Sequence, residues 1–255
     1  YLILHTLSLP LDRLEPFLDA CIPGDEREEI LEVIEKRATD RLPAAYITGE
    51  AWLGDFRFKV DPRVIIPRSY FAELLEDGFS PWIQDPETVT AAMDMCTGSG
   101  CLAILMAHAF PNAEIVAVDI SQDALDVAAE NIAAYGLEDR IKLVLSDGFA
   151  AVPEQGFDFI LSNPPYVTRE SMESLPAEYL HEPGLALGSG EDGLDLVRKL
   201  LTDAPRFLKP DGVLAIEVGH NRDIVEEAFP TLASTWVSAP GGEDKIFILQ
   251  AGQLL

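Results

Sequence analysis

Phe157-Asp158-Phe159-Ile160-Leu161-Ser162-Asn163-Pro164-Pro165-Tyr166 joins an apolar run to a stiff exit. The run is short and rich in aromatic and branched residues, as a buried strand requires. Pro164 and Pro165 have fixed φ and no amide hydrogen, so the chain leaves the strand as a rigid loop whose carbonyls are not consumed by ladder pairing. One carboxamide and one aromatic ring are thereby displayed at a strand's end. In open α/β sheets, ligands bind outside the carboxyl ends of the strands. Taken alone, the motif also fits a rigid turn with a packing tyrosine, and its surroundings have to decide.

Those surroundings alternate. From Val89 onward, strand patterns near 89–96, 114–119, 141–145, 157–162 and 212–218 are interleaved with helical patterns near 101–110, 121–135, 192–208 and 221–229. Alternation of this kind predicts a doubly wound α/β domain with a mostly parallel sheet covered on both faces. The last two strand patterns, Thr235 to Ala239 and Lys245 to Gln250, have only Pro240-Gly241-Gly242-Glu243-Asp244 between them. So short a connection makes a hairpin, and the seven-strand sheet is expected to end in an antiparallel pair.

Upstream the pattern differs. Residues 11 to about 42 read as helical: Ile30, Leu31, Val33, Ile34 and Ala38 recur at helical spacing, acids gather at the start, and packing is the expected use of the apolar stripe. From Trp52 the period shortens, with Phe56, Phe58 and Val60 alternating with Arg57 and Lys59 after a Leu53-Gly54-Asp55 turn, which predicts a β-hairpin. Val64-Ile65-Ile66-Pro67-Arg68-Ser69 then leads to a helix near Phe71–Glu76, and Asp77 to Thr88 reads as a loop. The expected division is therefore a helical region 1–48, a hairpin linker 49–68 and a sheet domain 69–255.

Composition bounds the function. A chain of 255 residues with 48% hydrophobic residues buries a large core. No apolar run approaches the roughly 20 residues of a membrane span. Tyr1 to Leu9 is apolar but lacks a basic leader and a small-residue cleavage site, so it is not read as a signal peptide. The first residue is Tyr rather than Met, and part of a natural N-terminus is expected to lie outside this sequence. Cys21, Cys96 and Cys101 form no ligand-spaced cluster and leave an odd count, which suits reduced thiols in a cytoplasm. The histidines show no metal spacing, so no metal site is expected. Eighteen basic against 44 acidic residues give a net charge of -26. A field of that sign repels phosphate backbones and attracts a basic protein, so direct contact with nucleic acid is not expected. Adaptation to a high-salt cytoplasm is an equal reading of the same charge, since only six of the 18 cations are Lys.

Four chemistry-bearing stretches fall at successive strand ends. Asp94-Met95-Cys96-Thr97-Gly98-Ser99-Gly100 closes the first strand of the sheet and opens the helix from Cys101; its glycines let backbone approach a ligand, and free amides at a helix start suit polar or anionic groups. The dinucleotide fingerprint would need a third glycine where Ala103 stands. Asp119, followed by Ile120, ends the next strand nineteen positions after Gly100 and can accept both hydroxyls of a ribose; a helix N-cap is the competing role, with Ser121 following. Asp147, followed by Gly148, ends the third strand and can meet an adenine amine. Asn163 ends the fourth. Together they point to one nucleoside-bearing cofactor beside one reacting group. Glu217, inside the apolar strand Ile216-Glu217-Val218, needs a partner, and a structural hydrogen bond is expected.

These residues carry a resemblance. Asp-x-x-x-Gly-x-Gly after the first strand, Asn-Pro-Pro-Tyr after the fourth and a terminal antiparallel hairpin make the chain similar to class I S-adenosylmethionine-dependent methyltransferases acting on a planar nitrogen. Ile66-Pro67-Arg68, Cys96-Thr97-Gly98-Ser99-Gly100, Asn163-Pro164-Pro165-Tyr166, Glu182-Pro183 and Asp192-Gly193-Leu194-Asp195 resemble the protein-glutamine methyltransferases. Ile66-Pro67-Arg68-Ser69, Asp94-Met95-Cys96 and Leu180-His181-Glu182-Pro183 look most like the branch that methylates the third large-subunit ribosomal protein. The release-factor branch more usually has a glycine at Cys96. The resemblance implies S-adenosyl-L-methionine as cofactor, S-adenosyl-L-homocysteine as product and a substrate-recognising N-terminal region. It implies cofactor binding by Asp94, Cys96, Thr97, Gly98, Ser99, Gly100, Asp119, Ile120, Asp147, Gly148 and Asn163. Catalysis falls to Asn163, Pro164, Pro165 and Tyr166, and substrate binding to Asn163, Pro164, Tyr166 and Arg68. Val167 to Glu191 is expected to fold over the site as a lid, without a catalytic role for His181.

Three other readings compete. Asn-Pro-Pro-Tyr also serves enzymes that methylate exocyclic amines of nucleic acid, but those need a cationic surface. A non-catalytic binding module would not need the glycine loop, Asp119 and Asn163 together. A nicotinamide-dependent dehydrogenase fits the sheet and leaves Asn163-Pro164-Pro165-Tyr166 without a purpose.

Overall fold

The computed structural model describes residues 1–238 and 244–254. Helices α1 (Leu2–Thr6), α2 (Gly24–Thr39) and α3 (Ala44–Thr48) precede a hairpin of β1 (Glu50–Leu53) and β2 (Phe56–Lys59). Then follow α4 (Phe71–Glu76), β3 (Ala91–Met95), α5 (Cys101–Ala109), β4 (Glu114–Asp119), α6 (Gln122–Ala134), β5 (Ile141–Leu145) and β6 (Phe157–Ser162). The chain ends with α7 (Arg169–Glu173), α8 (Asp195–Asp203), β7 (Leu208–Glu217), α9 (Arg222–Ala228), β8 (Thr235–Ser238) and β9 (Asp244–Gln250).

The expected helix from 11 to 42 is shorter than its pattern. Pro16 and Pro23 interrupt it, leaving only a short 3-10 turn at Glu15–Phe17 before α2, which starts directly after Pro23. Its stripe is only partly used: Ile30 is 6% exposed, whereas Leu31 is 57% and Ile34 40% exposed. Asp25 and Glu26 do occupy the first turn of α2. The pattern near 192–208 also splits, into α8 and a 3-10 turn at Ala204–Arg206, where Pro205 stands at the turn's start.

Strands β3 to β9 form one seven-stranded sheet in the order β5-β4-β3-β6-β7-β9-β8. The first five strands in that order pair in parallel, and β9 pairs antiparallel with both β7 and β8. The expected antiparallel ending is present, with β9 inserted between β7 and β8; residues 239–243 of the expected turn lie outside the described residues. Parallel strands buried on both faces need apolar side chains at nearly every position, and the sequence supplies them. Ala92, Ile115, Ala117, Phe159 and Leu161 join the core under α4 and α5. Met93, Val116, Val118 and Ile160 join the opposite core with Val197 and Leu200 of α8 and Val225 of α9.

Chain direction reverses between β3 and β6. From β3 the chain winds outward to β4 and β5, then returns to the other side of β3 as β6. The loops leaving β3 and β6 therefore diverge above adjacent strands, opening the crevice where doubly wound sheets bind ligands. The β1–β2 hairpin lies against α6: the Tyr135 hydroxyl meets the Arg57 amide and carbonyl at 3.0 and 2.9 Å, and Asn131 meets both backbone groups of Lys59 at 2.7 and 3.0 Å.

Candidate active site

A cavity of about 700 Å³ lies over that crevice, within the roughly 300–1,000 Å³ usual for small-molecule and cofactor sites. One wall is the loop after β3. Cys96, Gly98 and Gly100 all have left-handed φ, 69°, 54° and 79°. Cys96 is the costly member, because an L side chain strains in this region and glycine does not. The turn is held because the Cys96 and Thr97 amides both donate to the Val118 carbonyl at 2.9 Å.

Cys96, Thr97, Gly98 and Ser99 line the cavity, whereas Asp94 and Gly100 stand behind it. A Cβ at Gly100 would lie 3.1 Å from the Ala128 Cβ, so this glycine lets the loop approach α6. Asp94 is fully buried, and its Oδ2 accepts the Thr97 hydroxyl at 2.6 Å. Burial pushes its carboxyl up to about 7, against that hydrogen bond. Burial likewise pushes the Cys96 thiol up, and Cys101 up to about 12, so both sulfurs stay neutral.

Asp119 serves two loops at once. Its Oδ2 accepts the Gly98 amide and its Oδ1 the Ser121 amide, each at 2.9 Å, while its carboxylate lines the cavity. The N-cap of α6 is Ser121, whose hydroxyl accepts the Ala124 amide at 3.2 Å. Asp119 is thus free of the capping role and keeps lone pairs for a ligand, although burial raises its pKa. Ile120 and Gly148 also line the cavity. Asp147 lines it too, but its Oδ1 is already paired with Lys199 of α8 at 2.8 Å, a partner that no local pattern announces.

The opposite wall is Asn163-Pro164-Pro165-Tyr166, all four lining the cavity. The Ser162 hydroxyl donates to the Met95 carbonyl at 2.8 Å, tying the ends of β6 and β3 together beneath the two loops. Asn163 Nδ2 lies 3.5 Å from the Arg68 carbonyl, at the limit of a hydrogen bond. The Tyr166 carbonyl accepts from Asn221 Nδ2 at 2.5 Å, and the ring sits so close to the backbone of Gly219 that a Cβ there would come within 2.6 Å of it. Burial and the neighbouring Glu217 both raise the Tyr166 pKa, so its hydroxyl stays neutral. Gly219 and Asn221 are supports of Tyr166 that the sequence reading missed; each acts across a long sequence separation.

Residues 167–191 close one side. Val167, Leu175, Tyr179, Pro183 and Leu187 are among those lining the cavity. Arg68 lines it as well, with its guanidinium 4.9 Å from the Tyr179 ring centroid and paired at 2.8 Å with Glu182. This segment also reaches the N-terminal region: Glu178 pairs with Arg37 at 3.0 Å and Arg41 at 2.8 Å, and a hydrogen bond from its own backbone amide, with the two guanidiniums, holds its carboxyl down to about 2. The His181 ring lies 2.8 Å from the Asp40 carbonyl, away from the residues that line the cavity. Glu217 has the structural partners expected of it, Ser69 and the Tyr70 amide, and burial pushes it up to about 7.

A family model described as methyltransferase small domain matches residues 82–190. Over 255 residues the chain is 58% identical to the ribosomal protein uL3 glutamine methyltransferase of Neisseria meningitidis, covering all of this chain and 84% of that protein. The protein of the same name from Bordetella pertussis is 56% identical over 254 residues, again covering all of this chain and 85% of the relative. The chain belongs to the ribosomal protein uL3 glutamine methyltransferase family. Its fold is that of the class I methyltransferases, as solved structures agree. The hMettl16 catalytic domain, crystallised with a MAT2A 3′UTR hairpin, superposes with a TM-score of 0.58 at 15% identity, covering 89% of this chain and 81% of that one. A Pyrococcus furiosus methyltransferase superposes with a TM-score of 0.54 at 17% identity, covering 90% and 99%. Among the described residues, no helix is long and apolar enough to cross a membrane, and no group of three or more His, Cys, Asp or Glu residues is arranged to hold a metal ion.

Proposed function

We propose that this methyltransferase uses S-adenosyl-L-methionine to methylate the side-chain amide nitrogen of a glutamine in ribosomal protein uL3. The observation that carries the reading is the pairing of two opposite walls. One is the tight Cys96–Ser99 turn, whose amides are largely held by Val118 and Asp119 and which sets the Asp119 carboxylate at the cavity, and the other, Asn163-Pro164-Pro165-Tyr166, offers acceptors and no proline amide. High identity along the whole chain to proteins named for this reaction supports the substrate.

The residues fit the cofactor. Asp119 lines the cavity with a carboxylate that accepts only two backbone amides, leaving lone pairs for a ligand's hydroxyls. Asp119 would hold the ribose hydroxyls, Ile120 and Gly148 would flank the adenine, and Asp147 would meet its amine beside Lys199. Cys96, Thr97, Gly98 and Ser99 would line the remaining length, with Asp94 and Gly100 shaping that loop from behind. When bound, the cofactor supplies a methyl on sulfonium and leaves as S-adenosyl-L-homocysteine.

An amide nitrogen is a poor nucleophile because its lone pair is delocalised into the carbonyl. Deprotonation at neutral pH is out of reach. The Asn163 Oδ1 and the Pro164 carbonyl each accept one hydrogen of the substrate amide, turning its nitrogen toward the methyl for in-line displacement. Positive charge developing on the substrate nitrogen during transfer would be stabilised by those two oxygens, and one amide proton would leave to water. Tyr166, kept neutral, forms an apolar wall for the glutamine side chain, Pro165 stiffens the loop, and Arg68 shapes the entrance.

Residues 1–48 would serve substrate recognition, 49–68 the link and 69–255 catalysis. The net charge of -26 supports a basic protein substrate and argues against direct nucleic-acid binding. A ribosomal substrate supports a cytoplasmic setting. The test is transfer of labelled methyl to purified large-subunit proteins and, in parallel, to release factors, followed by mass mapping. Label on a glutamine of uL3 is expected. Label confined to a release factor would keep the chemistry and overturn the substrate.

A further inference from the structure

Residues 66–70 form an arm across the mouth of the site, outside any helix or strand. Extended backbone in such a place needs partners for its amides, and Pro67 supplies none. Two buried carboxylates take up the task. Glu182, from the covering segment, accepts the Ile66 amide on Oε2 at 3.0 Å and the Arg68 guanidinium on Oε1 at 2.8 Å. Glu217, at the end of β7, accepts both the Ser69 hydroxyl at 2.6 Å and the Tyr70 amide at 3.1 Å on a single oxygen, Oε2. Both side chains are buried, and burying an acid is unfavourable unless its contacts are worth keeping.

Toward the acceptor wall the arm presents the Arg68 carbonyl, which faces Asn163 Nδ2 at 3.5 Å. That contact bears on chemistry. A carboxamide has a donor end and an acceptor end, and only the acceptor end can receive a hydrogen of a substrate amide. With Nδ2 turned to the Arg68 carbonyl, Oδ1 is the end left for the substrate. A flipped Asn163 would set N–H against N–H.

We propose that Glu182 and Glu217 are positioning residues: they grip the 66–70 arm from two sides so that the Arg68 carbonyl fixes the orientation of the Asn163 carboxamide. The proposal rests on Asn163 being the acceptor for the substrate amide. Neither acid carries a proton in the reaction. A glutamine at 217 therefore keeps the function, because its Oε1 can accept the same two hydrogens that one oxygen accepts now, whereas leucine at 217 removes both contacts.

The experiment measures kcat and cofactor Kd for Glu217→Leu, Glu217→Gln, Glu182→Leu and Asn163→Ala on uL3, with amide hydrogen exchange at Tyr70. Glu217→Leu and Glu182→Leu are expected to lower kcat by about tenfold to a hundredfold while cofactor Kd stays within about twofold, and Glu217→Leu to speed exchange at Tyr70. Glu217→Gln should stay close to the unmodified protein in all three readings. Ser69→Ala, which leaves the strand untouched, should lower kcat by less, with Ser69→Thr restoring it, so the claim stays testable if the leucine variants fold poorly. Unchanged kcat in Glu217→Leu and Ser69→Ala would overturn the proposal. So would Glu217→Gln as impaired as Glu217→Leu, or a parallel loss of cofactor affinity. Full activity in Asn163→Ala would instead strike the acceptor reading itself, whatever the acids do.

Discussion

The loops that leave β3 and β6 end adjacent parallel strands and are opposite in chemistry. The first, 96–100, reaches left-handed φ at Cys96, Gly98 and Gly100, and its Gly98 amide is taken by Asp119. The second, Asn163-Pro164-Pro165-Tyr166, gives up two amides to proline and keeps its carbonyls. One wall thus pairs an internally bonded turn with a single acid, Asp119, which on the proposed reading takes the ribose hydroxyls of a polar cofactor; the other keeps backbone and side-chain acceptors, which suits an amide carrying two hydrogens. On the proposed reading, the difference lets one sheet end separate cofactor binding from methyl transfer. Substitutions on the two walls should therefore split kinetically.

The largest effect is expected on the acceptor wall. Asn163→Ala should lower kcat for methyl transfer by about a hundredfold to a thousandfold, the usual scale for losing one preorganised transition-state contact, with cofactor Kd within about twofold by calorimetry. On the glycine-loop wall, Asp119→Ala should raise cofactor Kd by about tenfold to a hundredfold, on the scale of losing a charge-assisted contact. Its kcat at saturating cofactor should stay near that of the unmodified protein. A smaller, indirect effect is expected behind that wall. Gly100→Ala combines φ of 79° with a Cβ 3.1 Å from Ala128, and should cost about 1–3 kcal/mol of stability, read as a lower Tm with a weaker cofactor Kd.

The smallest effect sharpens the role of Asp94. Its carboxyl is pushed up to about 7 in the folded chain from an ordinary value near 3.8, so the folded state holds a proton that the unfolded state releases. Its contribution to stability is full below about pH 4 and is lost as pH rises through about 7. Asp94→Asn should remove that share of the pH dependence. The difference in Tm between the variant and the unmodified protein should then shift in the variant's favour from pH 4 to pH 8, and a constant difference would contradict the burial argument.

Much of this architecture was legible in the residues. The strand runs at Ile115–Val118 and Phe157–Leu161, the glycine loop and the two prolines specify buried parallel strands and their exits through local rules, and the sheet follows them. The site residues at strand ends were legible for the same reason. What stayed hidden depends on contacts across the chain. Pro16 and Pro23 cut a helical pattern that periodicity alone extends, and the exposure of Leu31 and Ile34 cannot be read from their spacing. The Lys199 partner of Asp147, the Asn221 hold on Tyr166 and the grip of Glu182 on the arm join residues 52, 55 and 114 positions or more apart. Ser121 took the helix cap that competed for Asp119, because its hydroxyl lies at the right distance for the Ala124 amide, while the Asp119 carboxylate ties the Gly98 and Ser121 amides instead.

The most direct measurement sets Asn163→Ala beside Asp119→Ala in one assay: calorimetric cofactor titration and labelled methyl transfer to uL3 at saturating cofactor. The two-wall account predicts opposite splits, with Asn163→Ala losing kcat at unchanged Kd and Asp119→Ala losing Kd at nearly unchanged kcat. Two variants that lose the same parameter by similar factors would contradict it.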